Sequence, residues 1–372
     1  MYGRDFRLLL LFSLVGFGGY ALLLPAVPLW VARGGSGEFG AGLSTGVLMA
    51  VTVGTQLGVP ALLRRFGHRP VLVAGALLLG PPSPLLILSA DLAPVLVVCV
   101  LRGIGFGLLT VAGSALVAEL VTPDERGRAS ARFGYAIGLP NVLLLPAGVG
   151  VADAFGFPAV FWTAGVMPVL AALVVIGMRP VAATPPEHLR PRERRPWRPG
   201  PPFLAMLGCA TAQGAVVTFA PLLAPAATVA VPAALLLTGL AALVGRGVAG
   251  EIADRGIRPG MLLPAGVGAT AVGLVLVAVA GTGGLVAGAL LVGAGFGIVQ
   301  NAALVALFAQ AGPGGYGGAS AQWNIGYDAG TGLGATALGA VAQPFGFGVA
   351  FGAAAAVLAV LTPAVLRRSP AG

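Results

Sequence analysis

Charged side chains are scarce in this chain: only 9% of its 372 residues are charged, whereas an ordinary soluble domain is about a quarter charged. So few charges cannot cover the surface of a water-soluble protein of this length. The hydrophobic share is 57%, and the mean hydropathy is +0.96. The composition therefore excludes an ordinary soluble domain and predicts an integral membrane protein.

Cysteine and histidine are also scarce, with two of each. Cys99 and Cys209 stand inside apolar runs, which predicts buried thiols rather than a disulfide framework. His68 and His188 fall in polar connections, and no group of histidine, cysteine or carboxylate residues has the spacing of a metal or catalytic site. The sequence thus predicts neither a metal nor a cofactor. It also disfavours a membrane enzyme, the main alternative from another class of protein.

Long apolar stretches fill most of the chain and alternate with clusters of charge, glycine and proline. About 20 mainly apolar residues span a bilayer as a helix, and these stretches lack the polar–apolar alternation of barrel strands. The first follows Arg4 and Arg7 without a small-residue cleavage site, which favours a spanning helix over a signal peptide. Twelve spanning helices are predicted, over residues 8–31, 41–63, 70–90, 93–120, 129–152, 157–178, 203–227, 230–252, 259–281, 284–310, 317–343 and 345–366.

Arginine supplies all 21 basic residues, and all but Arg33 and Arg102 fall on one side of this twelve-helix arrangement. The bias satisfies the positive-inside rule and predicts that both termini are cytoplasmic, in the inner membrane of the cell. Arginines that fix the topology beside an anionic leaflet account for the net charge of +9, so no nucleic-acid partner is expected. Residues 181–202 are rich in arginine and proline and are predicted to form a cytoplasmic linker.

The two halves of the chain resemble each other at an offset of 190 positions. RGIGFG (102–107) matches VGAGFG (292–297), GRASA (127–131) matches GGASA (317–321), and FGF recurs at 155–157 and 345–347. A constant offset across helices and loops is typical of a duplicated transporter that binds substrate near the midplane between its halves. Chance resemblance between glycine-rich helices is the alternative. The predicted domains are two six-helix bundles, residues 1–180 and 203–372.

Several motifs resemble those of the major facilitator superfamily, over essentially the whole chain. RGVAGEIADRGIRPG (246–260) is similar to that family's cytoplasmic gate motif. LRGIGFG (101–107) resembles the motif whose arginine, here Arg102, is linked to proton coupling in drug exporters, and LPAGVG (145–150) matches the antiporter motif in part. The resemblance implies an all-α membrane protein with twelve transmembrane helices in two pseudo-symmetric six-helix bundles. It also implies a transporter of the drug:proton antiporter type that works by alternating access.

The gate motif occurs twice, and the copies differ. The resemblance implies that Asp254 contacts the start of the fifth helix, where opposite charge and the helix dipole favour the contact. In the sister copy, GVPALLRRFGHRP (58–70), Arg64 stands where the family usually has aspartate. One gate contact is therefore expected to be ionic, and replacing Asp254 is expected to impair transport more than replacing Arg64. Alternatively, the charged residues of both gate copies only fix the orientation of the helices in the membrane and form no gate contact. The predicted gate residues are Arg64, Arg65, Arg69, Arg128, Arg132, Asp254, Arg255 and Arg258.

The stretch QWNIGYDAGTGLGATALGAVAQ (322–343) contains a single formal charge, Asp328. At 1.5 Å per residue this carboxylate lies about 16 Å into the eleventh helix, near the middle of a hydrocarbon core about 30 Å thick. A charge at that depth costs about 3 kcal/mol or more, so such a residue usually faces a cavity and a partner. Asp328 is predicted to bind a proton or a cationic group of the substrate. A neutral, hydrogen-bonded aspartate that bridges helices is the alternative.

Arg102 is the second charge predicted to lie within the membrane, about 13 Å into the fourth helix. Arginine keeps its charge in proteins, so a partner is required. Asp328 across the cavity is one candidate partner, and backbone carbonyls of the first helix are another. The direct pair with Asp328 would place both groups in the proton-coupling site.

Further polar side chains at similar depths are predicted to line a central cavity, although hydrogen bonds between helices also explain each of them. Their scarcity disfavours a sugar, because a richly hydroxylated substrate needs many hydrogen bonds to replace water. The predicted function is proton-coupled efflux of a hydrophobic or amphipathic small molecule by a monomer in the lipid bilayer. Proton-coupled uptake of a small metabolite is the alternative, and a non-transporting receptor is a further one. The predicted cavity residues are Tyr20, Gln56, Asn141, Gln213, Gln300, Asn301, Asn324, Tyr327 and Thr331.

Overall fold

The fold is that of a computed structural model, which describes residues 3–122, 126–179, 199–255, 259–279, 281–311 and 316–367. Within these ranges the chain is helical and contains no strand, which confirms the predicted all-α class. The helices are α1 (Arg4–Val31), α2 (Gly37–Phe66), α3 (His68–Leu79), α4 (Leu92–Leu120), α5 (Arg126–Phe155), α6 (Phe157–Ile176), α7 (Pro201–Leu223), α8 (Ala230–Asp254), α9 (Leu263–Val279), α10 (Gly281–Ala311) and α11 (Tyr316–Arg367).

Ten helical stretches of the described chain are long and apolar enough to cross a membrane. The first, Arg4–Phe66, has 63 residues and the last, Gly318–Thr362, has 45, whereas about 20 residues suffice for one crossing. Each of the two contains a glycine with non-helical backbone angles, Gly35 at φ 93° and Gly346 at φ 80°. Separate crossings on the two sides of each glycine would give twelve spans, and that count stays a prediction.

Most predicted boundaries agree with the helices to within a few residues, and α3 is the exception. One span was predicted over residues 70–90, but α3 ends at Leu79 and a 3₁₀ segment follows at Ser83–Leu88. Three prolines, Pro81, Pro82 and Pro84, occupy this position. Because proline lacks a backbone N–H and clashes with the preceding turn, the α-helix cannot continue through them.

The internal repeat extends to the packing of the helices. α4 packs on α2 at Gly103, where an added Cβ would lie 2.6 Å from the carbonyl oxygen of Leu48. α10 packs on α8 at Gly293, directly against the carbonyl oxygen of Thr238. Both second-half residues follow their first-half counterparts by 190 positions. The sequence offset therefore also describes which residues of neighbouring helices touch.

The repeated FGF sequence forms the same backbone turn in both halves. Gly156 separates α5 from α6 with φ 83° and ψ 162°, and Gly346 interrupts α11 with φ 80° and ψ 163°. Positive φ carries no steric penalty for glycine, which has no Cβ. The shared motif thus encodes a defined change of direction rather than a chance similarity in composition.

Large apolar side chains cover the outside of the bundle, far from its core. In water, exposed apolar area of this extent would drive association, whereas acyl chains solvate it at no cost. The helices and their apolar surface describe a multi-pass membrane protein. Among the most exposed of these side chains are Leu57, Leu88, Phe155, Val279 and Val360.

The two halves meet mainly along α2 with α11 and along α5 with α8, and more briefly along α1 with α7. We call these first two interfaces the α2–α11 seam and the α5–α8 seam. The Gly35 end of the bundle is the end at which α1 turns into α2. The basic end is the opposite one, where Arg64 and Arg65 lie in the last turn of α2.

Candidate functional site

Asp328 lies at the α2–α11 seam, between the Gly35 end and the basic end. The residue is buried, with 2% of its surface exposed. Its Oδ2 accepts a hydrogen bond of 2.6 Å from Nε2 of Gln56 on α2. This bond connects the two halves of the chain, because α2 belongs to the first half and α11 to the second.

Gln56 links this bond to α4. Its Nε2 also lies 3.2 Å from Oγ1 of Thr110, and the Thr110 hydroxyl donates to the carbonyl of Gly107. The Oε1 of Gln56 is buried and has no hydrogen-bond partner among the described residues. A carboxylate accepts hydrogen bonds only, whereas a protonated carboxyl group also donates one. Rotation of the Gln56 amide can therefore offer a partner to either protonation state of Asp328.

Gly326, Gly330 and Gly334 share the opposite face of α11, a pattern that predicts close helix packing, and this face does pack closely on α7. An added Cβ at Gly330 would lie 2.5 Å from the carbonyl oxygen of Leu207, and Gly334 lies directly against the carbonyl of Thr211. Glycine permits this close approach between helices within the second half. Asp328 is thereby left facing the other half of the chain.

The water-filled cavity expected beside Asp328 is closed in this structure. On the Gly35 side of Asp328 the seam is tightly packed: an added Cβ at Gly332 would lie 2.8 Å from Cβ of Met49. Gly42 lies directly against the carbonyl of Ala335. The α5–α8 seam is closed at a similar level, with Gly239 against Val142. Passage of a substrate therefore requires the seams to separate.

Arg102 on α4 is buried as well, with 2% of its surface exposed. Within the described part of the chain it forms no ion pair with Asp328 and no hydrogen bond with a carbonyl of α1, so neither predicted partner is in place. Its Nε atom is buried without a hydrogen-bond partner there. Tyr20 of α1 lies within electrostatic reach of both Arg102 and Asp328. The two charges thus share a neighbour but do not touch.

The other predicted cavity residues divide into two groups. Tyr20, Gln56 and Tyr327 lie around the two buried charges. Of the remainder, Thr331 is buried and the others are half-buried, and hydrogen bonds within or between helices account for most of them. Asn141, Asn324 and Thr331 donate to carbonyls of their own helices, Asn301 donates to the carbonyl of Arg246 on α8, and Gln213 and Gln300 show no side-chain hydrogen bond in the described chain.

Two aromatic pairs flank the buried charges, and their phenylalanines are related by the repeat. Tyr20 stacks on Phe106 with ring centroids 4.0 Å apart in the first half. Tyr327 packs on Phe296 at 5.6 Å in the second half. Phe106 and Phe296 are equivalent under the offset of 190. The centre of the molecule therefore combines a large apolar aromatic surface with few polar groups.

The predicted gate residues whose side chains the structure describes lie at the basic end, mostly in solvent. Arg255 pairs with Glu251 at 2.6 Å, and both side chains are exposed, so the pair contributes about 1 kcal/mol at most. Arg69 is half-buried, while Arg64, Arg65, Arg128 and Arg132 are exposed. The side chain of Asp254 and the whole of Arg258 lie outside the described residues, so the ionic gate contact stays a prediction.

A polar contact closes the Gly35 end of the α2–α11 seam. The backbone N–H of Phe39, in the first turn of α2, donates to Oε1 of Gln343 at 3.0 Å. The first N–H groups of a helix have no partner within the helix, and here the opposite half of the chain supplies one. Gln343 thus caps α2 only when the seam is closed at this end.

Replacing Gln343 by alanine should loosen the closed seam. Loss of one hydrogen bond of this kind costs about 1 kcal/mol, which is about a fivefold change in the ratio of closed to open molecules. We expect a cysteine at Ser44, which is buried, to react about fivefold faster with a membrane-impermeant thiol reagent. Gln322→Ala, at the other end of the same stretch of α11, is the matched control. Equal rates in the two variants would contradict the capping role.

Three contributing residues were not selected from the sequence: Thr110, Trp323 and Gln343. Thr110 follows Arg102 and Phe106 at four-residue spacing, so it shares their face of α4, and that spacing was the available signal. Trp323 donates its Nε1–H to the carbonyl of Gln300 at 2.9 Å. Gln343 had no local signal, because its partner is a backbone group far away in the sequence.

The fold and this site define a polytopic membrane protein with two internally repeated halves and a buried acidic group at their interface. Residues 9–335 match the family model of the Major Facilitator Superfamily. The chain therefore belongs to the Major Facilitator Superfamily, and it is a membrane transporter rather than an enzyme.

Individual relatives are distant. Over 182 residues the chain is 24% identical to the inner membrane transport protein YajR of Escherichia coli K12, a match that covers 49% of this chain but only 39% of YajR. A POT family transporter solved with 5-aminolevulinic acid superimposes with a TM-score of 0.81 at 13% identity, over 99% of this chain and 96% of the other. The nucleoside transporter NupG gives 0.78 at 10% identity, over 99% and 100%. These likenesses show the fold.

Proposed function

We propose that the chain is a proton-coupled exporter of a hydrophobic or amphipathic small molecule, working by alternating access. The hydrogen bond between Gln56 and Asp328 carries the proposal, because it places a titratable group at the interface that must open. The aromatic surface around it suits an apolar substrate body.

The proposed coupling follows from burial. In the closed seam Asp328 is removed from water, and low-dielectric surroundings favour the neutral, protonated form of a carboxyl group. When the seam separates, water solvates the group and favours its ionised form. A proton is therefore bound in the closed arrangement and released in the hydrated one, which ties proton movement to the conformational cycle. Arg102 contributes a fixed positive charge near the same site.

Proton-coupled uptake of a small metabolite is the alternative. It is favoured by the hydrogen-bonding groups next to Asp328, since Gln56 and Thr110 offer a polar substrate several partners. The unpaired Oε1 of Gln56 leaves one acceptor available to a donor group of the substrate. Both alternatives use Asp328 in the same way, and they differ in the direction of substrate movement.

Direction is tested with membrane vesicles of known orientation. In inside-out vesicles that pump protons into the lumen, an exporter should accumulate ethidium, a lipophilic cationic dye, about tenfold over vesicles lacking the protein. Asp328→Asn vesicles should stay at the background level. Accumulation only in right-side-out vesicles, driven by an inward proton gradient, would contradict export and establish uptake.

The location and orientation of the protein in the membrane are also part of the proposal. We infer that the protein is a monomer in the inner membrane with both termini in the cytoplasm, supported by the arginine bias and by the inner-membrane relative YajR. Protons and one small-molecule substrate are its proposed partners, with no cofactor. The basic end would then face the cytoplasm, and the Gly35 end would face outward.

A further inference from the structure

A small cavity lies between α1, α2 and α4, on the Gly35 side of Arg102. It has room for about one water molecule. Its ten lining residues include one cation, Arg102, and no carboxylate. Tyr20, Ser44 and Thr45 contribute hydroxyl groups, and the remaining lining is apolar apart from the thiol of Cys99. The cavity is therefore a small, mainly apolar pocket with a net positive charge.

Two residues that line the pocket have a buried donor without a protein partner. The Nε of Arg102 and the hydroxyl of Tyr20 have no hydrogen-bond partner among the described residues, and each residue is 2% exposed. Leaving a buried charged donor unpaired costs more than the bond itself is worth. Arginine cannot relieve this cost by losing its proton. The pocket thus calls for an acceptor that carries negative charge.

We propose that Arg102 and Tyr20 form a subsite for a small anionic group, carried by the substrate as a carboxylate or supplied as a free inorganic anion. The idea rests on the proposed transport function. A substrate carboxylate at this subsite would narrow the substrate class to amphipathic molecules with an anionic end, which excludes ethidium, whereas a free inorganic anion leaves cationic substrates such as ethidium within the class. A guanidinium fork binds a carboxylate through paired hydrogen bonds, and the Tyr20 hydroxyl supplies a third. The apolar lining of the cavity, formed by Leu23, Leu24, Val27, Pro28 and Leu48, offers a surface to the rest of the molecule.

Binding is measured in detergent without any proton gradient, so that its outcome is independent of transport direction and coupling. One pair of probes, 4-phenylbutyrate and its uncharged amide, tests for binding of a carboxylate. A second pair, sodium chloride and sodium gluconate, tests for binding of chloride. Thermal unfolding of the purified protein reports occupancy, because a ligand that binds only the folded state raises the midpoint. The variants are Arg102→Gln, Arg102→Lys and Tyr20→Phe. Arg246→Gln is the control, since it removes a half-buried membrane arginine outside the pocket.

We expect phenylbutyrate, but not its amide, to stabilise the wild type and Arg246→Gln. Its apparent affinity should fall at least tenfold in Arg102→Gln and severalfold in Tyr20→Phe, with Arg102→Lys in between. Stabilisation by chloride alone, lost in Arg102→Gln, supports the subsite and assigns it to an inorganic anion. Equal stabilisation in Arg102→Gln and the wild type would overturn the proposal, and so would no response to either anion. Tyr20→Phe, which removes one oxygen atom, keeps the test valid if Arg102→Gln does not fold.

Discussion

Asp328→Asn should abolish proton-driven accumulation of substrate, reducing it by about tenfold to the background level. Asparagine keeps the shape of the carboxyl group and can bond Gln56, but it cannot bind or release a proton in the physiological range. The closed seam should therefore form normally while proton movement is uncoupled from it. Substrate accumulation in proteoliposomes with an imposed pH gradient measures the coupled step.

A matched set of variants separates loss of coupling from loss of structure. Asp328→Asn should still exchange labelled for unlabelled substrate without a gradient, at a rate within severalfold of the wild type. Asp153→Asn removes a carboxylate that pairs with Arg33 at 3.2 Å on the exposed surface, and it should leave accumulation unchanged. Retained accumulation in Asp328→Asn would show that the proton is carried elsewhere.

Gly42→Ala should hold the α2–α11 seam open at the Gly35 end. The added methyl group would press directly on the carbonyl of Ala335 on the facing helix, and a close-packed interface absorbs such an overlap at a cost of about 1–3 kcal/mol. That cost corresponds to a shift of about 5- to 150-fold toward the open arrangement. We expect transport to slow by a similar factor, because the cycle cannot readily pass through the closed state.

Gly54→Ala is the control for this prediction. Gly54 lies on the same helix, and nothing lies within 4 Å of an added Cβ. Both substitutions favour the helix itself by about 1 kcal/mol, so any difference between them comes from the seam. Reactivity of a cysteine at Thr45, a buried neighbour of the seam, should rise in Gly42→Ala only. A similar rise in both variants would mean that seam packing does not set the conformational balance.

The sequence predicted the features that one helix encodes by itself. Asp328 stands out because a lone charge in an apolar stretch is costly wherever the helix packs. The glycines on its opposite face predicted close packing, and Gly330 does contact α7 closely. The FGF motif was likewise visible in the sequence as a repeat, because the turn it forms is local: the backbone has positive φ at Gly156 and Gly346, and glycine meets this requirement without a distant contact.

The partners of these residues were not predictable in the same way. Gln56 precedes Asp328 by 272 positions, and several polar residues at equal depth were equally good candidates. The choice depends on how α2 and α11 are rotated about their axes, which is fixed by packing across the whole seam. The direct pair of Arg102 with Asp328 was likewise compatible with the predicted depths of the two residues. In the structure, however, their side chains have different neighbours. The periodicity of one helix gives the depth of a residue in the membrane and the side of the helix on which it lies. It does not identify the residue opposite it on the neighbouring helix.

The most direct test of whether Asp328 couples protons to opening is the distance between the two halves at the Gly35 end, measured as a function of pH. Spin labels on Phe155→Cys and Val229→Cys, exposed positions of α5 and of the α7–α8 connection, report this distance after Cys99 and Cys209 are replaced by serine. We predict that the wild type changes from a short to a longer distance as pH rises from 5 to 8, because ionised Asp328 favours the hydrated, separated seam. Asp328→Asn should show the same distances at every pH, since it still opens and closes but no longer responds to protons. A distance that changes equally in both proteins would contradict the claim that Asp328 couples protons to opening.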